Sequence, residues 1–159
     1  MLACIDLEGV LLPEIWIKFA EKTGIEELKL TTRDIPNYDD LMLGRLNILK
    51  QHNLKLNDIE SVIETLSPLE GAQDFFKWLN SEFQVIILSD TFYQFAGPLM
   101  KQLDYPTLFC HNLIVDNDGA ISGYKLRQKD QKTKAVKALQ GLNLQVISAG
   151  DSYNDTGML

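Results

Sequence analysis

The sequence predicts an α/β fold with a mainly parallel sheet, on three observations. Short apolar runs at Leu2 to Leu7 (LACIDL), Gln84 to Leu88 (QVIIL) and Leu144 to Ala149 are separated by longer stretches of helical periodicity. The first two runs are nearly continuous rather than alternating, as central parallel strands are when both faces are covered. Parallel neighbours also need crossover connections, which the intervening helical patterns can supply.

Each element follows from local chemistry. Leu2 to Leu7 reads as a buried strand whose exit carries Asp6, Glu8 and Gly9. Pro13 suits a first helical turn, and Ile15, Phe19 and Ala20 keep helical spacing up to Gly24, a stop signal. From Asp39 to His52, Leu43, Leu46 and Leu49 fall on a three-residue rhythm, and a second helix is expected from Asp58 to Leu66 with Asn57 as its cap. Residues 13–67 therefore read as a helical insertion between two halves of a core domain, 1–12 and 68–159.

Glu70 to Asn80 is amphipathic and leads into the strand Gln84 to Leu88, whose exit carries Ser89, Asp90 and Thr91. A helix from Phe92 to Leu103 and a third strand at Thr107 to Cys110 follow. Asn117, Asp118 and Gly119 signal a turn, so a hairpin is expected over 112–126. Lys132 to Leu139 reads as a helix, and Leu144 to Ala149 as a fourth buried strand that exits into Gly150, Asp151, Ser152, Tyr153, Asn154 and Asp155. Trp16 and Trp78 read as packing residues. There are no internal repeats or low-complexity linkers.

Composition narrows the function classes. The chain has 159 residues, 45% hydrophobic and 23% charged, enough for one main domain with its own core. A net charge of -7 and a pI near 4.8 argue against a general binder of nucleic acid or anionic membranes, so an anionic substrate would need a local cation cluster or a metal. Asp6 and Glu8 interrupt the place where a signal peptide would be apolar, and no apolar run reaches the roughly 20 residues of a membrane span. Cys4 and Cys110 form neither a metal motif nor a disulfide framework. A cytoplasmic protein with two packing cysteines is expected; the composition leaves the oligomeric state open.

Open parallel sheets place their sites at the carboxyl ends of strands. That rule picks out Asp6, Ser89 and Asp151, each at or just past the end of an expected strand, and the three exits are expected to converge. Taken singly, each residue has an ordinary alternative as a helix cap, a turn former or a loop acid.

Four motifs in order carry a resemblance: Asp6-Leu7-Glu8-Gly9, then Ser89-Asp90-Thr91, then Lys132, then Gly150-Asp151-Ser152-Tyr153-Asn154-Asp155. This arrangement resembles the haloacid dehalogenase superfamily, in its phosphoserine phosphatase branch. The wording Asp-Leu-Glu-Gly, with Pro-Glu-Ile-Trp-Ile and Thr-Thr-Arg-Asp-Ile-Pro after it, is similar to the bifunctional kind that also passes phosphate to homoserine. The resemblance covers essentially the whole chain. It implies a Rossmann-like three-layer domain with a small helical cap after the first strand, and further elements past Leu159, where the chain stops just as a helix is expected to begin.

The resemblance also implies roles. Asp6 would attack phosphorus to give an aspartyl-phosphate, and Glu8 would protonate the leaving oxygen and then activate the acceptor. Aspartate is usual at the Glu8 position, so the longer side chain could alter acceptor choice. Ser89 and Asp90 would lie at the phosphoryl group, and Lys132 would neutralise its charge, although Lys125, Lys129 and Lys134 are nearby alternatives. Asp151, Asp6 and the main-chain carbonyl of Glu8 would hold Mg2+, a hard cation suited to oxygen ligands.

Asn154 would orient the substrate, with Asp155 either assisting or capping the next helix. Glu14 would meet the ammonium and Arg45 the carboxylate of O-phospho-L-serine, where a helix-surface charge is the ordinary reading of each. Three rivals stay open: another small phosphorylated substrate, carbon–halide hydrolysis on the same fold, and an inactive binding or phosphate-accepting module.

Overall fold

The computed structural model describes residues 1–159. The chain forms β1 (Leu2–Ile5), α1 (Ile15–Thr23), α2 (Tyr38–Gln51), α3 (Leu56–Ile63), α4 (Ala72–Glu82), β2 (Gln84–Phe92) and α5 (Tyr93–Met100). It continues through β3 (Thr107–Val115), β4 (Ile121–Lys125), α6 (Gln131–Gly141) and β5 (Val146–Ala149). Short 3-10 turns occupy Glu26–Lys29, Lys101–Leu103 and Tyr153–Asp155.

One five-stranded sheet runs in the order β4-β3-β2-β1-β5. β1 lies between β2 and β5, parallel to both, and β2 is parallel to β3; only the β3–β4 hairpin is antiparallel. The α/β class with a mainly parallel sheet is therefore as the sequence predicts.

Alternation along β1 sends Ala3 and Ile5 to one face and Cys4 to the other. On the first face, 28 buried residues form one core that joins Ile5, Ile87 and Phe95 to Phe19, Leu49 and Ile59 of the helical segment. On the second, Cys4 and Leu88 pack with Val136 of α6 and with Met158. Cys4 and Cys110 are free and buried, and burial pushes their thiols up to about 11 and about 12, the state of inert packing residues. No helix is long and apolar enough to cross a membrane.

Several local expectations are corrected. Pro13 lies before the N-cap Glu14 rather than inside the first turn of α1, whereas Gly24 does end that helix, in a left-handed conformation. Leu43 is exposed; the buried stripe of α2 is Leu41, Met42, Arg45 and Leu49, because the spacing that faces a core averages 3.6 residues rather than three. α3 starts before Asn57, and its first turn is closed by Asp58, whose carboxylate accepts from the Lys55 N–H at 2.7 Å.

The helix expected over 92–103 is divided: β2 extends through Phe92, and the last turn tightens to 3-10 after Pro98. The third strand runs past Cys110 to Val115, so one strand serves both the parallel sheet and the hairpin. β5 is an edge strand, not a buried one, with Ile147 41% exposed, because it pairs with β1 alone. Both tryptophans pack as expected, Trp16 buried against Phe95 and Trp78 on Phe75 and Phe83 at the surface, where it is half exposed.

Candidate active site

Asp6 follows directly on the last paired residue of β1, and its N–H donates to the Ala149 carbonyl at the end of β5. The chain then turns back at once, with Leu11 and Leu12 both donating to the Leu7 carbonyl. Gly9 makes this turn at φ +83°, and a Cβ there would lie 2.4 Å from a carboxylate oxygen of Asp151. Glycine is required twice over, for the left-handed backbone and for the close approach of Asp151.

Asp6 is buried, and one of its oxygens accepts from the Leu7 N–H at 2.7 Å. Its other oxygen lies 2.8 Å from Lys132 Nζ, which also donates to Asp155 at 2.6 Å. Burial raises the Asp6 carboxyl to about 7, against the pull of Lys132 and with a further push from Asp155. Burial alone would lower Lys132, but Asp6, Asp90 and Asp155 outweigh it and hold the ammonium above its ordinary value. Lys125, Lys129 and Lys134 are all exposed, so geometry brings only Lys132 to Asp6.

Asp155 is fully buried and its oxygens are committed. One binds Lys132; the other accepts from the main-chain N–H groups of Asp151 and Ser152 and from the Ser152 hydroxyl. It closes a capping box on the Tyr153–Asp155 turn and thereby shapes the loop that carries Asp151. Asp6, Asp151 and Asp155 can bring one carboxylate oxygen each within 4.8 Å of the others. One Asp155 oxygen already takes three donors, whereas each Asp6 oxygen has one partner and Asp151 meets Arg33 at 3.7 Å, so Asp6 and Asp151 keep the greater acceptor capacity for a cation.

Glu8 points toward the helical segment, where its carboxylate accepts from the Ile15 N–H at 3.1 Å and satisfies an orphan donor of the first turn of α1. Burial holds Glu8 above the ordinary carboxylate range, opposed by its hydrogen bonds and by Arg45. Glu14 is likewise raised, by burial and then by the charge of Asp151. The Arg45 guanidinium lies 4.7 Å over the Trp16 ring and donates to the Leu30 carbonyl at 2.9 Å. Burial lowers it to about 10, and its Nε is buried with no partner.

These side chains line one cavity of about 110 Å³. Nine of the residues singled out in the sequence reach it, namely Asp6, Glu8, Glu14, Arg45, Ser89, Asp90, Lys132, Asp151 and Asn154, whereas Asp155 lies behind the wall as a capping residue. Sequence reasoning missed Thr31, Thr32, Arg33, Tyr38 and Thr91 in the wall. Arg33 stands in the Thr-Thr-Arg-Asp-Ile-Pro segment and reaches Asp151 through its main-chain carbonyl at 3.3 Å and its carboxylate at 3.7 Å. That segment was legible as a motif; Tyr38 carried no such signal.

The wall sets five carboxylates (Asp6, Glu8, Glu14, Asp90, Asp151) against three cationic side chains (Arg33, Arg45, Lys132). An anionic substrate entering it needs a further positive charge. The carboxylates of Asp6 and Asp151, hard oxygen donors with acceptor capacity remaining, suit a small divalent cation of the magnesium kind.

A mainly parallel sheet with an inner strand ending in a buried carboxylate, ion-paired to a lysine and faced by a hydroxyl and an acid cluster, defines an α/β enzyme working at a strand-end aspartate. Over residues 1–159 the chain matches the family model of haloacid dehalogenase-like hydrolases, and it belongs to that family.

It is 63% identical over 158 residues to a Pseudomonas aeruginosa protein named phosphoserine phosphatase ThrH, covering 99% of this chain and 77% of that one. A phosphoserine phosphatase of Pseudomonas syringae pv. tomato is also 63% identical, over 99% of this chain and 67% of its own. Among solved structures, a substrate-bound phosphoserine phosphatase complex superposes with a TM-score of 0.77 at 22% identity, covering 99% of this chain and 80% of that one. A phospho-aspartyl intermediate analogue of phosphoserine phosphatase does so at 0.78, also at 22% identity and with the same coverage. These two likenesses speak for the shared fold.

Proposed function

We propose that this chain hydrolyses O-phospho-L-serine to L-serine and phosphate through an aspartyl-phosphate on Asp6. The observation that carries the reading is the buried Asp6 carboxylate at the end of β1, held 2.8 Å from Lys132 in the same cavity as Ser89. The names of the 63%-identical relatives support the substrate.

In the first step an oxygen of Asp6 bonds to phosphorus while the ester P–O bond breaks, and Glu8 gives its proton to the departing serine oxygen. A carboxyl raised by burial is suited to hold that proton until the leaving group needs it. In the second step Glu8 takes a proton from the acceptor hydroxyl, the acceptor oxygen bonds to phosphorus, and Asp6 leaves as carboxylate. Lys132 and Ser89 balance charge on the phosphoryl oxygens throughout.

Mg2+, held by Asp6, Asp151 and the main-chain carbonyl of Glu8, would supply the positive charge that the acidic wall lacks. Water is one acceptor, and the hydroxyl of homoserine is the second. The Asp-Leu-Glu-Gly wording and the likeness to a protein named ThrH favour including it. The segment 13–67 acts as a cap on the core formed by 1–12 and 68–159. The work is placed in the cytoplasm, where Cys4 and Cys110 stay reduced.

Selectivity is assigned to the cap. Arg45, with its unpartnered Nε, reads the carboxylate of phosphoserine, and Glu14 reads its ammonium. Phosphate and O-phosphohomoserine release should be measured with Mg2+, with and without homoserine, on phosphoserine and on analogues lacking either group. Arg45→Ala should lower kcat/KM on phosphoserine by about ten- to two-hundredfold and spare the analogue without a carboxylate. Glu14→Gln should spare the analogue without an ammonium. Equal losses on all three substrates would show that the two residues support the cap rather than read the amino acid.

A further inference from the structure

Ser89, Asp90 and Thr91 reach the cavity because β2 bulges. β2 and β3 pair in register up to Leu88 with Phe109 and resume at Phe92 with His111. Between those pairs β2 has three residues where β3 has one, so the β2 residues are thrown out of the ladder toward the pocket. A bulge of this kind frees main-chain carbonyls that must find other donors.

The donors come from behind the pocket. Gln131 Nε2 donates to the Ser89 carbonyl at 2.5 Å and to the Asp90 carboxylate at 3.2 Å. The Tyr38 hydroxyl donates to the Asp90 carbonyl at 2.9 Å. His111 Nε2 lies 3.4 Å from the same Asp90 oxygen that Gln131 meets. His111 Nδ1 accepts from the Arg127 N–H at 3.0 Å, which leaves the ring proton on Nε2, facing Asp90.

Gln131 and His111 are both 3% exposed, and neither lines the cavity. Gln131 Oε1 is buried with no partner at all, a cost that leucine at this place would not carry. What Gln131 contributes is therefore its nitrogen, aimed at the bulge.

We propose that Gln131 and His111 are positioning residues of the reaction, bracing the β2 bulge so that Ser89 faces the phosphoryl group. This rests on the phosphoryl-binding role proposed above for Ser89. Neither residue touches substrate; both act through Ser89 and Asp90.

The test measures affinity for inorganic phosphate by calorimetry in Mg2+, together with kcat and KM on phosphoserine and the denaturation midpoint. Gln131→Leu should weaken phosphate binding by about two- to tenfold, the worth of one hydrogen bond, at an unchanged or higher midpoint. His111→Asn keeps an acceptor for the Arg127 N–H but loses the donor to Asp90, and should weaken phosphate similarly. His111→Gln, whose amide nitrogen reaches the place of Nε2, should recover most of that loss.

Ser89→Ala is the control. If Ser89→Ala weakens phosphate binding while Gln131→Leu and His111→Asn leave it unchanged, the bracing role is wrong and the reading of Ser89 stands. If Ser89→Ala has no effect on phosphate, the reading of Ser89 fails and the inference falls with it. Equal losses in His111→Asn and His111→Gln, accompanied by a lowered midpoint, would reduce His111 to a packing residue and overturn its half of the proposal.

Discussion

Gly9 and Asp155 do their work by being small and by being saturated. Gly9 leaves room for the Asp151 carboxylate, and Asp155 fixes the loop carrying Asp151 while holding Lys132 against Asp6. Gly9→Ala should therefore act on the proposed metal site as well as on the fold. The left-handed φ costs about 1–2 kcal/mol for an L side chain, and the 2.4 Å approach forces Asp151 to move. The expected outcome is a lower denaturation midpoint together with a higher Mg2+ concentration for half-maximal activity. A variant with an unchanged Mg2+ titration would show that the site does not depend on this close approach.

Elements meet in the site end to end. The N-terminus of α1 receives the Glu8 carboxylate, and the first residue of α2, Tyr38, grips the β2 bulge at the Asp90 carbonyl. The helical segment is thus tied by single hydrogen bonds to the strand exits that carry Asp6 and Ser89. Burial pushes the Tyr38 hydroxyl far up, followed by the charge of Asp90, so it stays a donor. Tyr38→Phe keeps the edge contacts of its ring with His111 and Tyr124 but leaves the Asp90 carbonyl without that donor. A loss of about 0.5–1.5 kcal/mol in stability is expected, with faster amide exchange across 89–92. Unchanged exchange there would show that the helical segment does not hold the bulge.

For the whole molecule, the buried acids set a dependence of stability on pH. Asp6 is raised by burial from an ordinary 3.8 to about 7, so the metal-free fold binds its proton more tightly than the unfolded chain does. That contribution is complete below about pH 3.8 and is lost as pH rises through about 7. Glu8 and Glu14 are raised too and act with the same sign. Asp90 acts oppositely: despite burial, His111, Lys132 and Gln131 lower it, so its contribution is present above the ordinary carboxylate range and lost on acidification.

Without metal, stability should fall between about pH 4 and 7, at up to about 1.4 kcal/mol per pH unit for each proton released. Mg2+ at pH 7 should restore it by binding the folded state alone. Asp6→Asn should flatten the slope and abolish turnover. Urea midpoints across that pH range, with and without Mg2+, check this, and a slope undiminished in Asp6→Asn would assign it to Glu8, Glu14 or other groups.

The sequence by itself determined the fold class and the three strand exits, and it singled out nine of the residues that line the cavity, because strand ends and short polar motifs are local features of the chain. It misplaced Leu43, the start of α3 and the burial of β5, since which face is covered depends on neighbours far away in sequence. Only the tertiary structure decided which lysine meets Asp6, that Asp155 is saturated, and that Tyr38, His111 and Gln131 converge behind Ser89. The contacts of Tyr38, His111, Gln131 and the Lys132–Asp155 pair span 20 to 52 residues, and Lys132 meets Asp6 across 126, distances at which no local pattern encodes a partner.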